Sequence, residues 1–128
     1  MSSRKIRFVI GAAITLAAGF LLSTHSSAQE ELDSLKVCSD TQKLILENSL
    51  VRVIDDRIPV GVTEAKHRHA HGLTIALTDY DIEQKTYPQG STTRSHRRFG
   101  EVNWGEPVVH EVHNVGQTPS HAIRIELK

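Results

Sequence analysis

The chain has a single cysteine, Cys38, so no intramolecular disulfide can form. A small domain without that staple must be held by its apolar core, by a metal ion or by a second copy of itself. A dense basic stripe is also missing. The 15 Lys and Arg balance 15 Asp and Glu, and the one positive cluster, Arg94, Arg97 and Arg98, fits a solvated strand face. Electrostatic capture of nucleic acid is thereby excluded. After residue 40 no segment carries the 3.6-residue apolar period of a useful helix. There is no internal repeat, no linker and no sign of a second domain.

Only one apolar run is long, and it sits near the start. Arg4, Lys5 and Arg7 precede the stretch Phe8 to Leu22, and Ser26-Ser27-Ala28 follows with small residues suited to a cleavage site. This is the pattern of a Sec-type signal peptide, and 15 apolar residues are short for a spanning helix. Residues 1–28 are therefore expected to be a removed leader, 29–43 a polar lead-in and 44–128 one β domain. The mature protein is expected in the periplasm or outside the cell, with no stable membrane association. Loss of the leader takes three of the 15 basic residues and none of the 15 acidic ones, leaving a net charge of −3. No lipobox precedes Cys38, which reads as an inert, partly buried thiol.

Beyond the lead-in the chain reads as short strands. Leu44-Ile45-Leu46 leads to a turn at Glu47-Asn48-Ser49, and Leu50 to Ile54 alternates after it. Leu73, Ile75 and Leu77 share one face of a strand, as do Ile123, Ile125 and Leu127. Asp81 to Tyr87, Thr92 to Phe99 and Val108 to Asn114 supply further strands, separated by Pro88-Gln89-Gly90, Gly100 and Gly116-Gln117-Thr118-Pro119. Strands at this spacing with turn chemistry between them predict an all-β sandwich or barrel.

Histidine carries the chemistry. His67 and His69 lie two apart, so on a strand both rings face one side. His110 comes from a distant segment and could complete a nitrogen set for zinc, copper, iron or nickel. His71 has the same parity as His67 and His69 and is a candidate fourth ligand if the strand continues. His113 has opposite parity to His110, and His96 and His121 have no partner in spacing; these three read as surface or half-buried rings. Asn114 reads as a hydrogen-bonding residue of the barrel. Glu64, the one carboxylate shortly before the pair, is a candidate general base. Tyr80, Tyr87 and Trp104 read as packed aromatics or as lining of the barrel mouth.

Gly61-Val62-Thr63-Glu64-Ala65-Lys66-His67-Arg68-His69 resembles the opening of the first cupin motif, a glycine, five residues and then His-x-His. His110-Glu111-Val112-His113-Asn114 resembles the close of the second, and the likeness spans residues 44–128. It implies a cupin-like jelly-roll β-barrel with His67, His69 and His110 as ligands of a divalent transition metal such as Mn, Fe, Ni, Cu or Zn. Two departures stand out. The carboxylate expected four or five residues after the second histidine is replaced by Leu73 and Thr74. In the second motif Gly105 and Pro107 exchange the usual order, and Gly100 lies one residue close to His110. Three neutral imidazoles leave the ion's charge uncompensated, which favours an anionic partner. Two functions follow: metal-dependent chemistry on a small polar or anionic molecule, or a non-catalytic module that binds a small-molecule ligand or serves as a structural barrel. A homodimer is expected to add burial to so small a domain.

Overall fold

The computed structural model describes residues 29–128; the expected leader lies outside the described residues. Among the described residues a short helix, α1 (Ser34–Val37), precedes nine strands: β1 (Gln42–Glu47), β2 (Val51–Ile58), β3 (Thr63–His69), β4 (Gly72–Ala76), β5 (Tyr80–Tyr87), β6 (Ser91–Arg97), β7 (Val102–Gly105), β8 (Val108–Asn114) and β9 (Ser120–Leu127). They form a five-stranded sheet in the order β1-β2-β9-β4-β7 and a four-stranded sheet in the order β3-β8-β5-β6. The named pairings are antiparallel, as a jelly roll requires. No helix among the described residues is long and apolar enough to cross a membrane.

Which face of each strand is apolar is the surprise of the five-stranded sheet. In β9, Ser120, Ala122, Arg124 and Glu126 alternate with His121, Ile123, Ile125 and Leu127. Ala122 packs in the core with Ile58, Ala76, Tyr80, Ile82 and Val112. Arg124 and Glu126 therefore point inward and the isoleucines outward. Register carries that outer row across the whole sheet: Leu46 faces Val53, then Ile125, Leu73 and finally Trp104. Trp104 is 55 % exposed, so it caps an outer apolar face rather than the core. The apolar core is small because inward positions are given to His67, His69, His110, Glu64, Asn114 and Glu126, all buried.

The lead-in is more ordered than its polarity suggests. Asp33 caps α1 by accepting from Leu35 N–H at 3.0 Å and also meets Arg52 Nη1 at 2.6 Å. The Arg68 amide donates to Leu32 O at 2.8 Å, fixing this segment against β3. The barrel begins at Gln42, two residues before the expected boundary, and β7 is a strand that the sequence pattern does not announce.

Gly72 permits a close approach of two strands in the sheet. A Cβ there would lie 1.9 Å from Ile125 O, so only glycine lets β4 lie against β9 at this point. Asn114 pins the end of β8: its amide donates to Ile58 O and Thr118 O at 2.9 Å each, and its oxygen accepts from Gly116 N–H at 3.0 Å.

Candidate metal centre

β3 and β8 pair with His67 directly opposite His110, while His69 follows on the same inward face of β3. The three rings converge edge-on, with centroids 4.7 to 5.4 Å apart. His67 Nε2 stands 3.1 Å from His69 Nε2 and 3.1 Å from His110 Nε2. Two nitrogens each about 2.1 Å from one ion lie about 3.0 Å apart at a right angle and about 3.4 Å apart at the tetrahedral angle. The observed spacing fits a facial set on one first-row ion.

The other nitrogen of each ring is held from outside this set, which fixes the ring's orientation. His67 Nδ1 donates to Ala65 O at 2.7 Å, and His69 Nδ1 donates to Glu126 Oε1 at 2.6 Å. His110 Nδ1 lies 3.4 Å from Gln84 Nε2; with the amide turned over, the Gln84 oxygen would accept the Nδ1–H when Nε2 is the ligand. Burial pushes His69 down to about 4, with Glu126 opposing, and pushes His110 down to about 2, with His67 adding to the fall. Both rings are thus neutral at ordinary pH, as ligation requires.

Cys38 lies behind His67, its sulfur 3.3 Å from Nδ1, and forms a second buried set with Glu64 and His67. Burial, reinforced by Glu64 and Asp56, pushes the thiol up to about 12. Without an ion it remains a thiol, and the adjacent Nδ1–H has Ala65 O as its acceptor.

An internal cavity of about 60 Å³ runs past His69 and His110, with Asp56, Glu64 and Arg124 in its wall. A wider cleft of about 350 Å³ shares His110, Gln84, Tyr80, Thr74 and Arg124 with it and reaches Trp104 and Pro107. Arg124 donates to Thr74 Oγ1 at 3.1 Å and to Ala70 O at 2.7 Å. Its Nε and Asp56 Oδ1 are closed off from solvent without a hydrogen-bond partner among the described residues. Burial and then the Glu64 carboxylate raise Asp56 well above the usual range. Arg52 Nε stands 3.1 Å from Glu126 Oε2, an ion pair by distance whose N–H is not aimed at the oxygen.

No protein-family model and no curated protein matches the sequence. Solved structures do match. A cupin domain from Bordetella pertussis Tohama I is 27% identical, with a TM-score of 0.62 over 68% of this chain and 91% of that one. A cupin family protein with a double-stranded β-helix fold from Methanocaldococcus jannaschii aligns at 11% identity and TM-score 0.55, covering 67% and 77%. A cupin superfamily protein from Desulfitobacterium hafniense aligns at 10% identity and TM-score 0.51, covering 67% and 74%. The chain has the cupin fold.

Within this cupin-like barrel the carboxylate position of the first motif is empty of carboxylate in space as well as in sequence. Leu73 faces outward beside Ile125 and Trp104, and Thr74 faces the cavity bonded to Arg124. His67, His69 and His110 form a group that could hold a metal ion. His71 does not join them. β3 ends at His69, and the His71 ring lies on Trp104 with centroids 5.9 Å apart. His113 meets Thr63, His96 meets Asp81 and His121 meets Asp55, all away from the triad. Glu126 and Gln84, which orient two of the rings, had no motif to mark them; the only trace is polar residues on the inward parity of β9 and β5.

Proposed function

We propose that the protein is an exported cupin that holds a divalent first-row ion through His67, His69 and His110. Beside the ion it engages a small anionic molecule. The convergence of three Nε2 atoms, with His67 and His69 tied at Nδ1 to acceptors, carries the metal reading. Such an ion would act as a Lewis acid toward an oxygen ligand. The chain's own contribution is to keep the imidazoles neutral and to line the approach. Arg124 supports the anionic reading, because its guanidinium lies in the wall of both the cavity and the cleft. Export rests on the pattern of the first 28 residues.

A second reading is a binding module without turnover. What favours it is that the carboxylates nearest the triad are already engaged: Glu64 with Gln42 and Thr41, Glu126 with His69. Elemental analysis of untagged protein, beside His67→Ala and His110→Ala, tests the common premise. About one ion per chain, lost in both variants, is expected. A folded wild-type chain that takes up no Fe, Mn, Co, Ni, Cu or Zn would sink it. Turnover or its absence in reconstituted protein then separates the two readings. N-terminal sequencing of the mature protein from the producing cell, expected to begin near Gln29, checks export.

A further inference from the structure

Glu64 lies three residues before His67, a separation that ordinary strand alternation would place on opposite faces. In this barrel both are buried, at 3 % and 0 % exposure. The cause is a β-bulge. Against β8, Glu64 pairs with Val112 and His67 pairs with His110, so three steps on β3 match two on β8. The extra residue on β3 turns Glu64 inward.

Once inside, the carboxylate is aimed at the triad. Glu64 Oε2 lies 3.7 Å from His67 Nε2, the same nitrogen that stands 3.1 Å from each of the other two Nε2 atoms. Glu64 shares His67 with the triad but stands outside the close three-histidine group, a placement that suits a carboxylate reaching the ion across one water. The carboxylate is held from behind: Gln42 Nε2 forks to both oxygens at 3.1 Å, and Thr41 Oγ1 donates to Oε1. Oε2 keeps acceptor capacity on the side of the histidines.

We infer that Glu64 is the carboxylate of this metal centre, serving the ion through one bound water, in place of the one absent at Leu73 and Thr74. The inference rests on the metal reading above. It also sharpens the ligand. One carboxylate leaves a divalent ion with a single uncompensated charge, so the open position beside Arg124 suits a monoanion, such as a simple carboxylate.

Cobalt(II) titration of untagged protein, by chelator competition and visible absorption, tests it on wild type, Glu64→Gln and Glu64→Asp. Affinity is expected to fall on the order of 10–100-fold in Glu64→Gln, with a changed d–d spectrum, and to recover in part in Glu64→Asp. Wild type that binds no cobalt would remove the metal reading itself. Wild type and Glu64→Gln binding with equal affinity and identical spectra would overturn the role of Glu64 alone. If Glu64→Gln does not fold, the crystal structure of cobalt-loaded wild type decides. A Glu64 oxygen on a water bound to the ion supports the inference, and a Glu64 in contact with no such water overturns it.

Discussion

Replacing Glu126 with Gln removes one charge while keeping the shape that fills the site. Glu126 is 5 % exposed; Oε1 takes the His69 Nδ1–H at 2.6 Å and Oε2 faces Arg52. A glutamine oxygen can still accept from His69, so the loss is the difference between a charge-assisted and a neutral hydrogen bond, about 1–2 kcal/mol. For a domain of this size, that lowers the apo melting temperature by about 4–16 °C. The weaker acceptor also makes His69 a poorer donor to metal, and affinity should fall about tenfold or more. Zinc at 100 times the wild-type Kd stabilises wild type by about 2.7 kcal/mol, whereas a variant binding tenfold more weakly gains only about 1.4 kcal/mol. The gap between the two melting curves should therefore widen by a further ~1.3 kcal/mol when zinc is added. Differential scanning fluorimetry with and without zinc, beside chelator competition, measures both effects. A variant that loses apo stability but binds zinc as tightly as wild type would refute the view that Glu126 serves the ligand.

Four further outcomes are expected. Because the folded His69 and His110 refuse protons that the unfolded chain accepts near pH 6.5, apo stability is fully present above that pH and is lost as pH falls toward 4. At pH 5 each ring should cost about 2 kcal/mol, read as a falling urea midpoint, and added zinc should shift the loss to lower pH. Gly72→Ala must push β4 off Ile125 O and should cost about 3 kcal/mol or more, seen as a collapse of the melting temperature; near-neutral behaviour would contradict the 1.9 Å approach. Arg124→Met should leave zinc affinity within about threefold but abolish the zinc-dependent binding of simple carboxylates by calorimetry; unchanged carboxylate binding would discard Arg124 as the anion contact. The expected homodimer would cover the outer row that ends at Trp104; sedimentation should give twice the chain mass, and Trp104→Glu should return the monomer.

The triad was legible because period-two spacing and register are simple rules: His67 and His69 share a face, and β8 brings His110 opposite. Most strands were legible for the same reason, with boundaries off by a residue or two at β1, β5 and β6, while β2 runs four residues past Ile54 and β7 was not read. Face assignment was not. Alternation in β4 and β9 shows which residues travel together, but not that Ile123, Ile125, Leu73 and Ile75 point away from the barrel while Arg124 and Glu126 point in. A barrel whose interior is a polar site inverts the usual equation of apolar with inside. His71 kept the right parity in sequence, but β3 stops at His69 before Gly72 begins the next strand. Glu64 has the wrong parity for the face of His67 and His69, and nothing in the residues marks the bulge that turns it inward.

That bulge makes the position of a carboxylate depend on the count of residues rather than on their identity. Deleting Ala65 or Lys66 would leave every side chain of the site in the sequence and His67, His69 and His110 facing one another, yet turn Glu64 out to solvent. A descendant could lose this acid without mutating it, and an ancestor could have gained it by one inserted codon. Among relatives, a column-by-column alignment would see a gap where the chemistry changed. The place to look for the missing acid is therefore upstream of the histidine pair, in the length of the segment between Gly61 and His67.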